Sequence, residues 1–151
     1  MISREWTCIA DAVAGTEGVG IVFAASEDRA AVDAGLRTAG YTDIAIDGSK
    51  ATDFRDVQAL IADAFAFPPS AASNLDALAD CLRGLSARPE PRLALLWDGA
   101  DVLIRRDLPG WYRLTDVLSQ ATDDLWRGDL PDDRLFETVL FLDSLNERAD
   151  A

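Results

Sequence analysis

The sequence predicts an α/β protein built on a small, mostly parallel sheet of three to four strands. Two observations carry this expectation. Four short apolar runs, at residues 21–24, 44–46, 93–97 and 138–142, are too continuous to alternate, which suits strands buried on both faces. Between them lie stretches with apolar residues at helical spacing, and helices between strands act as crossovers that set the strands parallel. The 151 residues fit one domain with a real core, and no internal repeat or linker divides them. The expected organisation is a single domain over 1–151. Residues 1–41 add an N-terminal strand and helix, and the polar end at 146–151 frays.

The elements follow in order. Ser26 can cap a helix running to Thr38, with Gly40 just past its end. Phe54, Val57, Leu60, Ile61, Ala64 and Phe65 form the next apolar stripe, opened by Thr52 or Asp53 and stopped by Pro68. Leu75, Leu78, Leu82 and Leu85 mark a short amphipathic helix over 73–85, and Ser73 with Asp76 fits a capping box. After the 93–97 strand, Asp98-Gly99 makes a turn. Leu114, Val117, Leu118, Ala121 and Leu125 mark the last helix, which Trp111 opens, and "RGDLPDD" is the loop before the final strand. Trp97 and Trp111 are read as core side chains.

Composition narrows the function. Asp and Glu number 27 against 14 Lys and Arg, a formal net charge of −13. Such a surface repels phosphate backbones and anionic lipid, which argues against nucleic-acid or membrane binding as the main activity; it would attract a basic protein, and solubility is the plainer reason for such a charge. No apolar run approaches the ~20 residues of a membrane span. The start, "MISREWTCIADAVAG", lacks the pattern of a signal peptide, so Cys8 and Cys81 are expected to be reduced cytosolic thiols. Cys81 falls beside the leucine stripe, where a thiol acts as a small hydrophobe.

The chain has no histidine, and hence neither the commonest general base nor the commonest zinc ligand. It has no phosphate-binding glycine loop and no nucleophile elbow, and "DGADVLIRRD" lacks calcium-loop spacing. No catalytic residue, metal or cofactor is therefore expected. An enzyme built on Asp76 and Asp80 is the remotest reading, since nothing in the sequence sets a cleft around them.

Those two aspartates are the unusual feature. Four residues apart on the 73–85 helix, they share a face, where like charges cost roughly 0.2–0.5 kcal/mol. Asp76 lies in the first turn, where the helix dipole favours an anion by about 0.3–1 kcal/mol. Asp80 lies past that reach and points away from the leucines, so its carboxylate has no evident structural purpose. A solvated face is the plain alternative, but "FPPSAAS" exposes the helix start, and loop and helix together present fixed anions.

The stretch "FAFPPSAASNLDALADCLRGL" resembles the signature of the barstar family, small acidic inhibitors of barnase-type ribonucleases. Pro68, Asn74, Leu75, Asp76, Ala77, Leu78, Asp80, Cys81 and Leu82 fit the pattern, and "IDGSK" and "LALLWDGAD" resemble its flanking strands and turns. The resemblance runs over roughly residues 42 to 143; residues 1–41 fit longer members less distinctively. It implies a barstar-like fold and a non-catalytic, cytoplasmic inhibitor that blocks a basic ribonuclease, one to one. Asp80 would be the central anchor and Asp76 its neighbour. Asn74, Leu75 and Ala79 would lie in the contact surface, with Ser70 and Ala72 from the preceding loop. It also puts Gln120 at a further contact on the next long helix, or Asp116 or Asp123 if the register slips. The sequence departs from the pattern at Ser70, Ala71, Ala72 and Ala79, where aromatics or glycine are usual; aromatics are common interface anchors. The alternative reading is an acidic interaction or regulatory domain that keeps this fold and binds another protein.

Overall fold

The computed structural model describes residues 7–128 and 130–143; the expected frayed tail lies outside them. In chain order the elements are α1 (Ile9–Ala12), β1 (Glu17–Val19), β2 (Ile21–Ala25), α2 (Arg29–Thr38), β3 (Thr42–Asp47) and α3 (Phe54–Ala64). Then come α4 (Leu75–Arg83), β4 (Arg92–Asp98), α5 (Ala100–Arg106), α6 (Leu108–Leu125) and β5 (Leu135–Leu142). The strands form one sheet in the order β1-β2-β5-β4-β3. All neighbours run parallel except β1, which is antiparallel to β2. The α/β class stands, with five strands rather than three to four. The four expected apolar runs are β2 to β5, and the addition is β1, three exposed residues too short to carry a pattern.

The continuous runs are continuous because both faces of the central strands are covered. β4 is buried from Leu93 to Trp97 and β5 from Leu135 to Phe141. One face packs Leu95, Trp97, Phe136 and Leu140 against α3, α4, α5 and α6. The other packs Ala94, Leu96, Val139 and Phe141 against α1 and α2, through Ile9, Val32 and Leu36. Residues 7–41 thus supply β1, β2 and the whole second helical layer. Trp97 is fully buried and Trp111 packs half-buried on Phe23, as core residues do.

Several helix starts differ from expectation. Ser26 lies in a 3-10 turn, Ser26–Asp28, that leads into α2, and neither Ser26 nor Asp28 makes a side-chain cap. Asp53, not Thr52, caps α3 by accepting from the Asp56 N–H. The chain turns at Asp98-Gly99 as expected, but Gly99, at φ 66°, also starts the unexpected α5. α6 begins earlier than its apolar stripe, at the cap Asp107. That carboxylate accepts from Gly110 N–H (3.0 Å) and from Phe54 N–H (2.9 Å), joining the starts of α6 and α3. A side chain at Gly110 would collide with Asp107 and Phe54.

Glu137, in the middle of β5, is 1% exposed. Its Oε1 accepts from Ile9 N–H and its Oε2 from Gly20 N–H, each at 2.7 Å. Gly20, at φ 76°, makes the tight β1–β2 turn, and its carbonyl accepts from Thr138 N–H. The central strand therefore grips both the start of α1 and the hairpin turn. Burial raises the Glu137 carboxyl above its ordinary value, against the opposing pull of the two N–H donors. A raised folded value gives stability that is full below the ordinary Glu value and is lost as pH rises through the raised one. Glu137→Gln should flatten that part of a urea-midpoint-against-pH curve. Glu137→Leu should destabilise by about 1–3 kcal/mol for each N–H left unpaired.

Candidate functional site

The expected 73–85 helix is α4 over Leu75–Arg83 followed by a 3-10 turn, Gly84–Ala87, that holds Leu85, and its leucines face inward as expected. Leu78, Leu82 and Leu85 are buried and Leu75 and Cys81 pack partly buried against the same core. The cap differs: it is Asn74, whose Oδ1 accepts from Asp76 N–H (2.8 Å) and Ala77 N–H (3.2 Å), and not Ser73. The amide side chain reaches the orphan donors of the first turn, so a Ser73 box is not needed. Asp76 remains in the first turn and exposed.

Asp80 is 71% exposed at its side chain and faces away from the leucines. It is not without a partner: Arg83, one turn on, ion-pairs with it and also reaches Asp124 of α6 at 3.8 Å. The like-charge cost expected of Asp80 is thus offset within the helix, and Arg83 sits in the last turn, where the dipole favours a cation.

A groove of about 210 Å³ runs between α4 and α6, lined by Ala79, Arg83, Asp116, Val117, Gln120, Ala121 and Asp124. It brings Ala79 and Gln120 together, and Gln120 donates to Asp124 at 3.1 Å. Asp116 lines it too; Asp123 does not. The loop before α4 is a 3-10 turn, Pro69–Ala72, in which Ala71 is buried, Ala72 packs on the core and Ser70 is exposed. Ser70 C=O accepts from Ser73 and Asn74 N–H, leading the chain into the cap.

Two residues that sequence reasoning passed over hold this loop. Gln58 of α3 is fully buried and its Nε2 donates to Ala71 C=O at 2.9 Å. Arg55 Nη1 donates to Gln58 Oε1 (2.9 Å) and to Ser73 C=O (2.6 Å). A polar side chain beside Val57 within the α3 stripe was the available signal. Among the described residues no cluster of His, Cys, Asp and Glu could hold a metal ion, and no helix is long and apolar enough to cross a membrane. Cys8 donates to Asp11 at 3.0 Å, and that bond together with burial raises its thiol. Gln58→Met keeps the volume but orphans the Ala71 carbonyl; urea unfolding should show a loss of about 1–3 kcal/mol. Amide exchange at residues 73 and 74 should quicken.

Comparison with known proteins places this geometry. The chain resembles Aeropyrum pernix ORC2, solved in ADPNP-ADP complexes, with a TM-score of 0.52 and 13% identity over 84% of this chain and 36% of that one. Drosophila ORC bound to DNA gives a TM-score of 0.49 and 19% identity over 85% of this chain and 34% of that one. The chain spans about a third of the length of these structures, and the first likeness is one of fold alone. No curated protein matches the chain. The family model for Barstar (barnase inhibitor) matches residues 41–142, which take in β3 to β5, α4 and the α4–α6 groove. With well over half its length matched, the chain belongs to the barstar family.

Proposed function

We propose that the protein is a non-catalytic, cytoplasmic inhibitor of a basic, secreted-type ribonuclease, binding it one to one. In this reading α4 and the Pro69–Ala72 turn cover the nuclease active site, with carboxylates where RNA phosphates would sit. The observation that carries it is the placement of Asp76 and Asp80, in a barstar-family chain, on the outer face of a helix whose inner face is buried leucine. Leu75, Asn74 and Ala79 flank the two carboxylates, Ser70 and Ala72 come from the turn, and Gln120 adds the far wall of the groove. The net charge of −13 supports a cationic partner, since opposite charge speeds encounter.

The small side chains at Ser70, Ala72 and Ala79 leave the contact dominated by charge and by the open groove. They favour a partner that fills that groove with its own bulky side chain. Arg83 already holds Asp80, so the partner's cations exchange with it on binding. This pairing is also what favours a second reading, an acidic interaction domain of this fold that inhibits no nuclease.

Asp80→Ala should leave unfolding within about 0.5 kcal/mol of the parent, because an exposed pair contributes little. Against a barnase-type ribonuclease the same change should weaken calorimetric affinity by about 2–5 kcal/mol, the range for truncated buried charges at interfaces, barnase with barstar among them. Ser70→Ala should do far less. An affinity unmoved by Asp80→Ala would overturn the assignment. The association rate should also fall steeply from low to physiological salt, with the dissociation rate nearly constant, in stopped-flow mixing.

A further inference from the structure

Where α2 packs on β3, two carboxylates meet away from the candidate site. Asp33 of α2 and Asp43 of β3 bring their carboxyl groups within reach of one another, on two elements that pack together. Asp33 Oδ1 and Asp43 Oδ2 are sealed from water, and neither receives a donor from the rest of the protein. Asp33 Oδ2 lies toward cations, 3.4 Å from Arg37 Nη2 and 3.7 Å from Arg29 Nη1. Arg29 is itself held by Asp98 at the end of β4, at 2.9 Å. The charged groups around the pair are therefore Arg29 and Arg37 on α2, with Asp98 beyond Arg29.

Two ionised carboxylates cannot hydrogen-bond each other, and a sealed carboxylate oxygen without a donor is costly. One proton between them resolves both problems. We propose that Asp33 and Asp43 share a proton in the folded protein, forming a pH-sensitive clasp between α2, in the N-terminal segment, and β3, where the family region begins. Asp33 keeps the negative charge that the arginines face, and Asp43 keeps the proton.

The directions agree with this assignment. The bond to Asp33, and then burial, hold the Asp43 carboxyl above the ordinary Asp value. The bond from Asp43, then Arg37 and Arg29, hold Asp33 below it. Asp43 thus contributes stability that is full below the ordinary value and lost as pH rises through its raised one. Asp33 contributes stability present above the ordinary value and lost as pH falls through its lowered one. The clasp is tightest between the two.

The test is carboxyl-carbon NMR of the full chain across the pH range, with urea unfolding of the parent and Asp43→Asn. One signal should titrate above the ordinary Asp range and vanish in Asp43→Asn, whose amide donates permanently to Asp33. The parent should lose stability relative to that variant as pH rises through the same value. Arg37→Gln, which leaves both aspartates in place, should move the high titration further upward. Two aspartates titrating in the ordinary range, or a high signal that survives Asp43→Asn, would overturn the proposal.

Discussion

Everything in this molecule hangs on the double-sided burial of β4 and β5. A strand covered on one face alternates; these do not, so each needs helices above and below. The family region supplies one layer, α3 to α6, and residues 7–41 supply the other. Each buried Leu, Val or Phe contributes about 1.5–3 kcal/mol that an uncovered face would forfeit. The N-terminal segment therefore completes the core instead of decorating it. Glu137 shows the same dependence in polar form, since its two donors, Ile9 and Gly20, both belong to that segment.

This framework anchors the backbone of α4 from below and from its first turn. Leu78 and Leu82 anchor it from below, Asn74 fixes its first turn, and Gln58 and Arg55 pin the turn that leads into it. In the proposed complex, charges held this way would lose little freedom on binding, which is how a preorganised surface gains affinity. Arg83 completes the arrangement by pairing with Asp80 and reaching Asp124 across the groove.

Much of this was legible in the sequence because it rests on local pattern. The uninterrupted apolar runs gave the strands, of which β4 and β5 are buried on both faces whereas β2 and β3 are only partly buried, and the leucine spacing gave the inner face of α4. β1, α1 and α5 carry no periodic signal because each is too short for one, and α5 begins directly from a left-handed glycine. The caps at Asn74 and Asp107 won over nearby serine or apolar cues because their side chains reach the free N–H groups. Glu137 precedes the apolar run at 138–142, which β5 extends back to Leu135, and its donors lie more than a hundred residues away along the chain. Nothing local signals such a pairing. Arg83 stands one turn from Asp80 in the sequence, a spacing at which its guanidinium offsets the like-charge cost.

The most direct test is amide hydrogen exchange of the full chain with and without a barnase-type ribonuclease. The account predicts new protection confined to residues 70–82 and to the α6 residues lining the groove, with the α1–α2 layer unchanged. Protection on the α1–α2 face, or none anywhere at concentrations that saturate a tight inhibitor, would contradict it.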